Sequence, residues 1–441
     1  MAKEFNCEEV TECKATLQML KKADRDGVDT AFHRAHSMSA CPIGEVSACC
    51  KHCAMGPCRL SPKDPNSKVG VCGATYDTIA SRNFARMVAA GTASHTDHGM
   101  ALLALFREVA QGHNTAYKIK DVKKLRQVAQ SVGIEVQTGD EGSRTDRDTN
   151  EIAEELADKL QLSFTQVEGE IPFASRVPEK TLETWRKEGI VPRGAMLEVM
   201  ELMHRSHMGM DQDYENIMTQ SMRTALADGW AGSMVGTEIA DILYGNPKPI
   251  RTEVDMGCLS ENKVNIIIHG HEPTLFESMI DAVNDDTLIN KANAAGAEGI
   301  NLLGMCCSGA EALMRHGIPH AGSFMSTEAV IITGAVDAMA VDVQCIKQGL
   351  LKMANCYGTK FFTTNRRAKV SGAEHIELDE ARPEECCHKI VEMAVERYQN
   401  RNTPIEIPQE KHEAISGFNH EVINYMLGGR FRESYKPLND N

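Results

Sequence analysis

The spacing of apolar residues divides the chain into two halves with different predicted structure. In the first half, apolar residues recur every three to four positions, which is the repeat of an amphipathic helix. Four such segments are CEEVTECKATLQMLKKADRDG, DTNEIAEELADKLQ, AMLEVMELMHRSH and YENIMTQSMRTALADGW. Two prolines and a glycine in YGNPKPI, residues 244–250, interrupt this pattern. Residues 1–245 are therefore predicted to form an all-helical domain.

Beyond residue 245, short apolar runs alternate with helical segments. The runs are VNIIIHGH, INLLGMCC, DAMAVDVQC and KFFTTN, and a helical pattern follows each of them. Strands that alternate with helices at this spacing form parallel sheets. Residues 246–408 are therefore predicted to form a Rossmann-like α/β domain, which makes the fold class α+β multidomain. Residues 409–441 hold one predicted helix and a polar tail, which is too little for a third core.

Composition narrows the classes of function. The chain has 441 residues, 15 of them cysteine, and a net charge of -15. No basic run offsets this charge, which argues against nucleic acid binding. The opening MAKEFNCEEV lacks the apolar core of a signal peptide, and the most apolar stretch, AVIITGAVDAMAV, is too short to cross a bilayer. We therefore expect a cytoplasmic protein without a transmembrane segment, in which clustered cysteines are metal ligands or redox groups rather than disulfide partners.

Six cysteines lie within residues 41–72. Four of them have the spacing C-x2-C-x4-C-x13-C, and four thiolates complete the coordination of a [4Fe-4S] cluster or of one structural zinc ion. Crowding with further thiols favours iron, and the clustering disfavours the alternative that these are buried free thiols. The four residues of this set are Cys50, Cys53, Cys58 and Cys72.

The other two cysteines of this segment are Cys41 and Cys49, and two ligands cannot close a cluster. A twofold axis brings the same surface of two chains together, so in a homodimer each chain would give two thiolates to one shared cluster. This pair therefore predicts a dimer. The alternative is that one or both cysteines lie in the protein core.

Potential metal ligands follow three predicted strands. They are His269 or His271 in IIIHGHEP, Cys306 or Cys307 in GMCCSG, and Cys345 in VDVQC. Sites in parallel α/β sheets form at the carboxyl ends of strands, so the three positions are predicted to face one crevice. Spacing does not choose within either pair. One imidazole and two thiolates are also too few for a multi-iron cluster, which requires further ligands.

Several motifs, in order from about residue 10 to the end, resemble the catalytic subunit of anaerobic nickel-dependent carbon monoxide dehydrogenases. Besides the cysteine array, they are ARMVAAGTASHTDHG, SMRTALADGW, HGHEP, GINLLGMCCSG, MRHGIP and AVDVQCI. The resemblance implies a homodimeric enzyme that oxidises CO with water to CO2, two protons and two electrons. It also implies a nickel-iron-sulfur catalytic cluster, and [4Fe-4S] clusters that pass the electrons to a carrier such as ferredoxin.

The resemblance also implies which residues hold each cluster, and it settles both ambiguous pairs. The implied ligands are Cys41 and Cys49 for the iron-sulfur cluster shared across the dimer, Cys50, Cys53, Cys58 and Cys72 for the [4Fe-4S] cluster of each chain, and His271, Cys307 and Cys345 for the catalytic cluster.

Proton transfer has its own candidates. His95 and His98 are three residues apart on a predicted helix, so one helix face could pass protons. By resemblance, His95 is the catalytic acid or base and Asp228 is its carboxylate companion. The family often continues this ladder with histidines, but here the next two positions are Ala101 and Ala104. A longer relay along this helix is therefore not expected.

The end of the chain departs from the family pattern. Family members continue into a second Rossmann-like domain, which gives the catalytic cluster three more cysteines, whereas this sequence stops at SYKPLNDN. We therefore expect the amino-terminal two thirds of the enzyme, with residues 409–441 as the stub of a third domain. Either the reading frame is truncated or interrupted, or a second polypeptide completes the site. The further partner is therefore an acetyl-CoA synthase or a polypeptide that supplies the missing domain. The alternatives are an iron-sulfur electron-transfer or assembly protein, and a hybrid-cluster enzyme resembling hydroxylamine reductases.

Overall fold

A computed structural model describes residues 5–61, 63–64, 66–139, 145–208 and 210–428. Within these ranges the α-helices are α1 (Lys14–Asp26), α2 (Ala31–Ser37), α3 (Tyr76–Ala110), α4 (Val122–Ser131), α5 (Thr149–Thr165), α6 (Glu179–Lys187), α7 (Ala195–Arg205), α8 (Tyr214–Ala227), α9 (Met234–Tyr244), α10 (Pro273–Val283), α11 (Asp286–Ala294), α12 (Cys306–His316), α13 (Thr327–Ile332), α14 (Gly349–Tyr357), α15 (Pro383–Gln399) and α16 (His420–Gly428).

The β-strands are shorter and lie mostly in the second half of the chain. They are β1 (Cys49–Cys50), β2 (Cys58–Arg59), β3 (Gln137–Thr138), β4 (Thr145–Asp146), β5 (Ile250–Val254), β6 (Val264–Gly270), β7 (Ile300–Met305), β8 (His320–Gly322), β9 (Val336–Val341), β10 (Lys360–Thr363), β11 (Glu374–His375) and β12 (His412–Ser416). Contacts within the chain define two compact units: a helical unit, Ser39–Leu243, and a sheet unit, Met1–Met38 with Tyr244–Asn441.

The helical unit is built around α3, which is 35 residues long. The side chain of Thr75 caps its first turn by accepting a hydrogen bond from the backbone N–H of Thr78, which stabilises a helix start. Helices α5, α7 and α8 pack against α3. Small residues on α3, including Ala85 and Ala89, are buried at these contacts and allow the helices to approach closely. The helices predicted for this region are present, and its described strands are only two residues long.

The sheet unit contains an eight-stranded sheet with the order β11-β10-β9-β6-β7-β8-β5-β12. All neighbouring strands are parallel except β12, which pairs antiparallel with β5. The chain runs outward from β6 through β7 to β8 and then returns to the other side of β6 to form β9 and β10. The order therefore reverses between β6 and β9, and this switch point is where parallel α/β sheets place their sites. The predicted mostly parallel sheet is confirmed.

Helices cover both faces of the sheet, which explains why its central strands are apolar at every position. On β6, Ile267 points into a core that includes Met19 of α1 and Leu350 of α14. Its neighbours on the strand, Ile266 and Ile268, point into the opposite core. Burial of one such side chain stabilises the fold by about 1.5–3 kcal/mol. The strands that carry the site are therefore held by a packed core on each face of the sheet.

The grouping by contacts differs from the predicted domains at both ends of the chain. Helix α1 belongs to the sheet unit because its buried residues, Ala15, Met19 and Ala23, pack in the core beneath β6 and β9. Strand β12 lies within the predicted third-domain stub but extends the main sheet. Helical periodicity predicts which face of α1 is buried but not which unit buries it. Residues 429–441 lie outside the described part of the chain. Across the described residues, no helix is long and apolar enough to cross a membrane.

Candidate metal-cluster sites

The four cysteines of the predicted [4Fe-4S] set lie together in the helical unit. Strand β1 pairs antiparallel with β2, which places Cys50 directly opposite Cys58. These two, with Cys53 and Cys72, line one cavity. The described structure therefore gathers all four predicted thiols around a common space.

Hydrogen-bond donors face two of these sulfurs. The backbone N–H of Val71 donates to Sγ of Cys58 over 3.4 Å. The pKa of Cys72 is lowered, mainly because the backbone N–H of Ala74 donates to its sulfur, with a further contribution from the guanidinium of Arg82. A lower thiol pKa favours the thiolate, which is the form that binds metal. The cavity is therefore suited to anionic sulfur ligands.

The donor set of this cavity fits two groups. Four thiolates complete the coordination of one zinc ion, or bind one at each corner of a [4Fe-4S] cluster. The four cysteines that line the cavity are therefore candidate ligands of either group.

Cys41 and Cys49 do not line this cavity. Cys41 is exposed, and its sulfur accepts a hydrogen bond from the backbone N–H of Gly44 over 3.3 Å. This contact, together with one from Ile43, lowers the pKa of Cys41. Cys49 is half-buried on β1. Their assignment to a second cluster, separate from the four-thiol set, stays a prediction.

In the sheet unit, the predicted catalytic-cluster ligands lie at the carboxyl ends of three adjacent strands. His271 follows β6, Cys306 and Cys307 begin α12 directly after β7, and Cys345 follows β9. Because β6 lies between β7 and β9, the three loops are neighbours. The thiol of Cys306 donates a hydrogen bond to the sulfur of Cys345, which lowers the pKa of Cys345 to about 6. The same contact raises the pKa of Cys306, whereas burial raises the pKa of Cys307.

The backbone around these cysteines is held in an unfavourable conformation. The φ angles of Cys306, Gln344 and Cys345 are 55°, 62° and 58°, in the left-handed region that residues with a side chain rarely adopt. Each such residue costs about 1–3 kcal/mol, and the surrounding structure must hold it in place. Two histidines do so, because Nε2 of buried His269 donates to the carbonyl of Cys345 over 2.8 Å and Nε2 of half-buried His320 donates to the carbonyl of Cys306 over 3.1 Å.

The hydrogen bond to the carbonyl of Cys345 distinguishes His269 from His271. His269 is fully buried, and burial lowers its pKa to about 4, so it is neutral near pH 7. Its Nε2–H is used by the carbonyl of Cys345. His269 therefore positions the loop after β9, and His271 stays the predicted ligand.

Asp342 was not identified from the sequence, although it connects all three loops. Its carboxylate accepts hydrogen bonds from the backbone N–H of His271 over 2.6 Å and of Glu272 over 3.3 Å, and from the hydroxyl of Ser308 over 2.6 Å. It also accepts one from the backbone N–H of Val343. The only local signal is an acidic residue directly after the apolar run of β9. One buried side chain thus fixes the ends of β6 and β9 and the start of α12.

Gly270 makes room for this carboxylate. Its φ angle is +150°, and a Cβ atom at this position would overlap Oδ1 of Asp342. Any larger residue would therefore need both a strained backbone and a displaced Asp342. The glycine in the HGHEP motif is required by the close approach of two loops.

His95 and Asp228 meet within the helical unit. Nδ1 of His95 on α3 donates to Oδ1 of Asp228 over 2.8 Å. Asp228 begins a π-helical turn, Asp228–Ser233, and such turns occur frequently at functional sites. A Cβ atom at Gly232 of this turn would lie 2.8 Å from the backbone of His95, so glycine allows the turn to pack directly on α3. The hydrogen bond to Asp228 raises the pKa of His95.

His98 lies one turn after His95 on α3, as predicted. Its ring packs over Gly236 of α9, where an added Cβ atom would lie 3.0 Å from Cδ2 of His98. The contact with α9 differs from the contact of His95 with the π-helical turn. The two histidines therefore share a helix but have different neighbours.

The fold and its donor groups define the class of this protein. It is a cysteine-rich protein with a helical unit and a doubly wound sheet unit, and each unit gathers potential metal ligands in one place. The chain belongs to the Prismane/CO dehydrogenase family, whose sequence model matches residues 48–425.

Individual proteins of similar sequence carry the name carbon monoxide dehydrogenase. The chain is 44% identical over 417 residues to carbon monoxide dehydrogenase 1 of Methanosarcina mazei, which covers 94% of this chain and 65% of that protein. It is 39% identical over 420 residues to the beta subunit of carbon monoxide dehydrogenase/acetyl-CoA synthase of Moorella thermoacetica, covering 94% of this chain and 61% of the relative. The chain thus spans less than two thirds of the length of these relatives.

Solved structures show the same fold. A nickel-free crystal structure of carbon monoxide dehydrogenase from Thermococcus sp. AM4 matches with a TM-score of 0.92 and 40% identity, over 99% of this chain and 69% of that one. An acetyl-CoA synthase/carbon monoxide dehydrogenase with NiZn[Fe4S4] and NiNi[Fe4S4] clusters in its alpha subunits matches with a TM-score of 0.91 and 38% identity, over 99% of this chain and 64% of that one.

Proposed function

We propose that this chain carries the cluster-binding residues of an anaerobic nickel-dependent carbon monoxide dehydrogenase, which oxidises CO with water to CO2, two protons and two electrons. The observation that carries the proposal is the meeting of three ligand-bearing loops at the switch point of the sheet, where Asp342 joins them. Membership of the Prismane/CO dehydrogenase family supports it.

The proposed ligands of the catalytic cluster are His271, Cys307 and Cys345. When bound, a nickel-iron-sulfur cluster supplies a soft metal for CO and a Lewis-acidic iron that makes hydroxide available near neutral pH. In the sheet unit, the lowered pKa of Cys345 favours the thiolate that such a cluster requires. Three ligands are too few for a multi-iron cluster, so the remaining ligands must come from other residues.

His95 is the proposed acid or base for the two protons that the reaction releases. Asp228 holds the Nδ1–H of His95, which fixes the tautomer so that Nε2 takes up and releases the proton. A raised pKa keeps His95 titratable closer to neutral pH. His98 is proposed to continue the transfer along α3.

The proposed electron path begins at the catalytic cluster and continues through the four-cysteine cluster and a cluster shared between two chains. Cys41 and Cys49 of each chain would provide the four thiolates of the shared cluster. Exposed apolar side chains on the cysteine segment, at Val46, Val69 and Val71, support a docking surface for a second copy. A carrier such as ferredoxin would accept the electrons, and an acetyl-CoA synthase is a proposed partner in view of the Moorella thermoacetica relative.

The proposal is tested by purifying the full chain without air, counting iron and nickel, and measuring CO-dependent reduction of a viologen dye. One whole and one half cubane would give about six irons per chain, before any catalytic cluster is counted. CO-dependent reduction that is lost in Cys307→Ser but kept in Cys356→Ser, a change at an exposed thiol outside the proposed sites, is the expected result. Colourless, iron-poor, monomeric protein would overturn the proposal.

The incomplete ligand set supports a second candidate, an iron-sulfur protein for electron transfer or cluster assembly. In that case the same preparation would contain about six irons per chain, with no nickel and no CO-dependent reduction. The Cys307→Ser variant would then have the iron content of the unaltered chain. The two candidates are therefore separated by one set of measurements.

A further inference from the structure

Arg82 is a buried cation beside the four-cysteine cavity. Its side chain is on α3, is only 2% exposed, and lines the cavity together with the four thiols. Nη1 faces Sγ of Cys72 at 4.0 Å, while Nη2 donates to the backbone carbonyl of Asp211 over 3.2 Å and to Oε1 of Gln212 over 2.8 Å. Nε is buried and has no hydrogen-bond partner among the described residues.

None of these contacts neutralises the charge of Arg82. Two of the acceptors are neutral oxygens, and no described carboxylate forms an ion pair with the guanidinium. Asp211 offers Arg82 only its backbone carbonyl, because its carboxylate accepts hydrogen bonds from Arg205 over 3.3 Å and from Asn216 over 2.8 Å. A buried charge without a partner strongly destabilises a fold, so buried cations are normally paired. The cavity itself is the remaining place for the compensating negative charge.

A [4Fe-4S] cluster on four thiolates would supply that charge. The four thiolates outweigh the positive charge of the iron-sulfur core, so the bound cluster is an anion. Reduction adds one electron, breaks no bond, and makes the cluster more negative. A cation nearby in a region of low dielectric stabilises the reduced form more than the oxidised form and raises the reduction potential.

We propose that Arg82 is the internal counter-cation of the four-cysteine cluster and raises its reduction potential. The inference rests on the proposed presence of that cluster. It assigns Arg82 a role in setting electron flow, distinct from the role of the cysteines as ligands. It also accounts for a buried guanidinium that faces a cysteine sulfur.

The test is an anaerobic redox titration of the full chain, followed by electron paramagnetic resonance. The signal that disappears in Cys53→Ser belongs to the four-cysteine cluster. In Arg82→Gln, which removes the charge, we expect the ratio of reduced to oxidised cluster at a fixed potential to fall about tenfold, equivalent to a midpoint lower by about 59 mV for one electron. In Arg82→Lys, which keeps the charge, the midpoint should stay near that of the unaltered chain.

Arg86 provides the matched control. It lies one turn later on α3, donates to the hydroxyl of Ser206 over 3.1 Å, and does not line the cavity. Arg86→Gln should leave the midpoint unchanged. Equal midpoints in Arg82→Gln and the unaltered chain would overturn the inference, as would equal shifts in Arg82→Gln and Arg82→Lys.

Iron content separates failure of this inference from failure of the proposed function. If the unaltered chain binds no [4Fe-4S] cluster, the proposed function fails. If the unaltered chain and Arg82→Lys retain the iron of this cluster while Arg82→Gln loses it, the counter-cation role is supported. Loss of that iron from both Arg82 variants would show that the side chain is needed for its shape and would overturn the role proposed for its charge.

Discussion

Replacing Gly270 with alanine should destabilise the sheet unit by about 3–6 kcal/mol, because two costs combine at this position. The first cost is conformational, since an alanine held at a φ angle of +150° is strained by about 1–3 kcal/mol. The second is steric, since the new methyl group would overlap Oδ1 of Asp342. Burial raises the pKa of Asp342 to about 7, so this carboxyl group is only partly ionised near neutral pH. Moving it weakens its hydrogen bonds to His271 and Ser308, at a cost of about 2–3 kcal/mol for the two bonds together.

Gly299→Ala is a control that carries only the first cost. Gly299 lies in the same unit and has a φ angle of +122°, but a Cβ atom there would have no neighbour within 4 Å. The free energy of unfolding of Gly299→Ala should be lower than that of the unaltered chain by about 1–3 kcal/mol. The difference between the two variants therefore measures the contact with Asp342.

The assay is calorimetric unfolding of the full chain under nitrogen, with iron content measured on the same samples. For a unit of this size, each kcal/mol lowers the melting temperature by about 2–4 °C, so Gly270→Ala should melt about 6–24 °C below the unaltered chain. It should also retain less metal in the sheet unit than Gly299→Ala does. Equal melting temperatures for the two variants would refute the reasoning, because the overlap with Asp342 would then have no energetic consequence.

Three further predictions concern charge and reactivity. Because Asp228 raises the pKa of His95, the stabilisation from this pair is fully present below about pH 6.5 and is lost as the pH rises through the raised pKa. The melting temperatures of Asp228→Asn and the unaltered chain should therefore differ most in acid. A difference that does not depend on pH would contradict this prediction. In metal-free protein, iodoacetamide should modify exposed Cys41, whose pKa is lowered, faster than Cys258, whose pKa burial raises to about 11; mass spectrometry of the peptides measures both rates, and equal rates would contradict the prediction. Asp342→Asn should lower the free energy of unfolding by about 2–4 kcal/mol, because an amide group replaces an oxygen that accepts hydrogen bonds; calorimetry measures the loss, and a change within error would show that the carboxylate is dispensable.

The sequence predicts four of the eight strands of the sheet, β6, β7, β9 and β10, and the neighbourhood of the site. Apolar runs in β6, β7 and β9 predict buried parallel strands, and parallel strands end at the same edge, so His271 and Cys345 are expected to be neighbours. The cysteine spacing also predicts the four-thiol cavity, because its ligands lie within one short segment. The parallel sheet is confirmed because its pattern repeats with a regular period, and the prediction of the ligands uses information that is local in the sequence.

Other features leave no such local signal. The amphipathic pattern of α1 shows an apolar face but does not indicate that the sheet unit covers it. The bond from Asp342 to His271 joins residues 71 positions apart, and no spacing rule connects them. The left-handed conformation of Cys345 depends on the carbonyl contact with His269, which exists only after the sheet has formed.

The hydrogen bonds of Asp342 make the conformations of three loops, which are distant in the sequence, depend on one another. A chimera that exchanged only the loop after β6 with that of a more distant protein would have to provide a glycine at position 270 and backbone donors in register with Asp342. Loops transplanted singly should therefore fail, whereas the three transplanted together should carry their geometry with them.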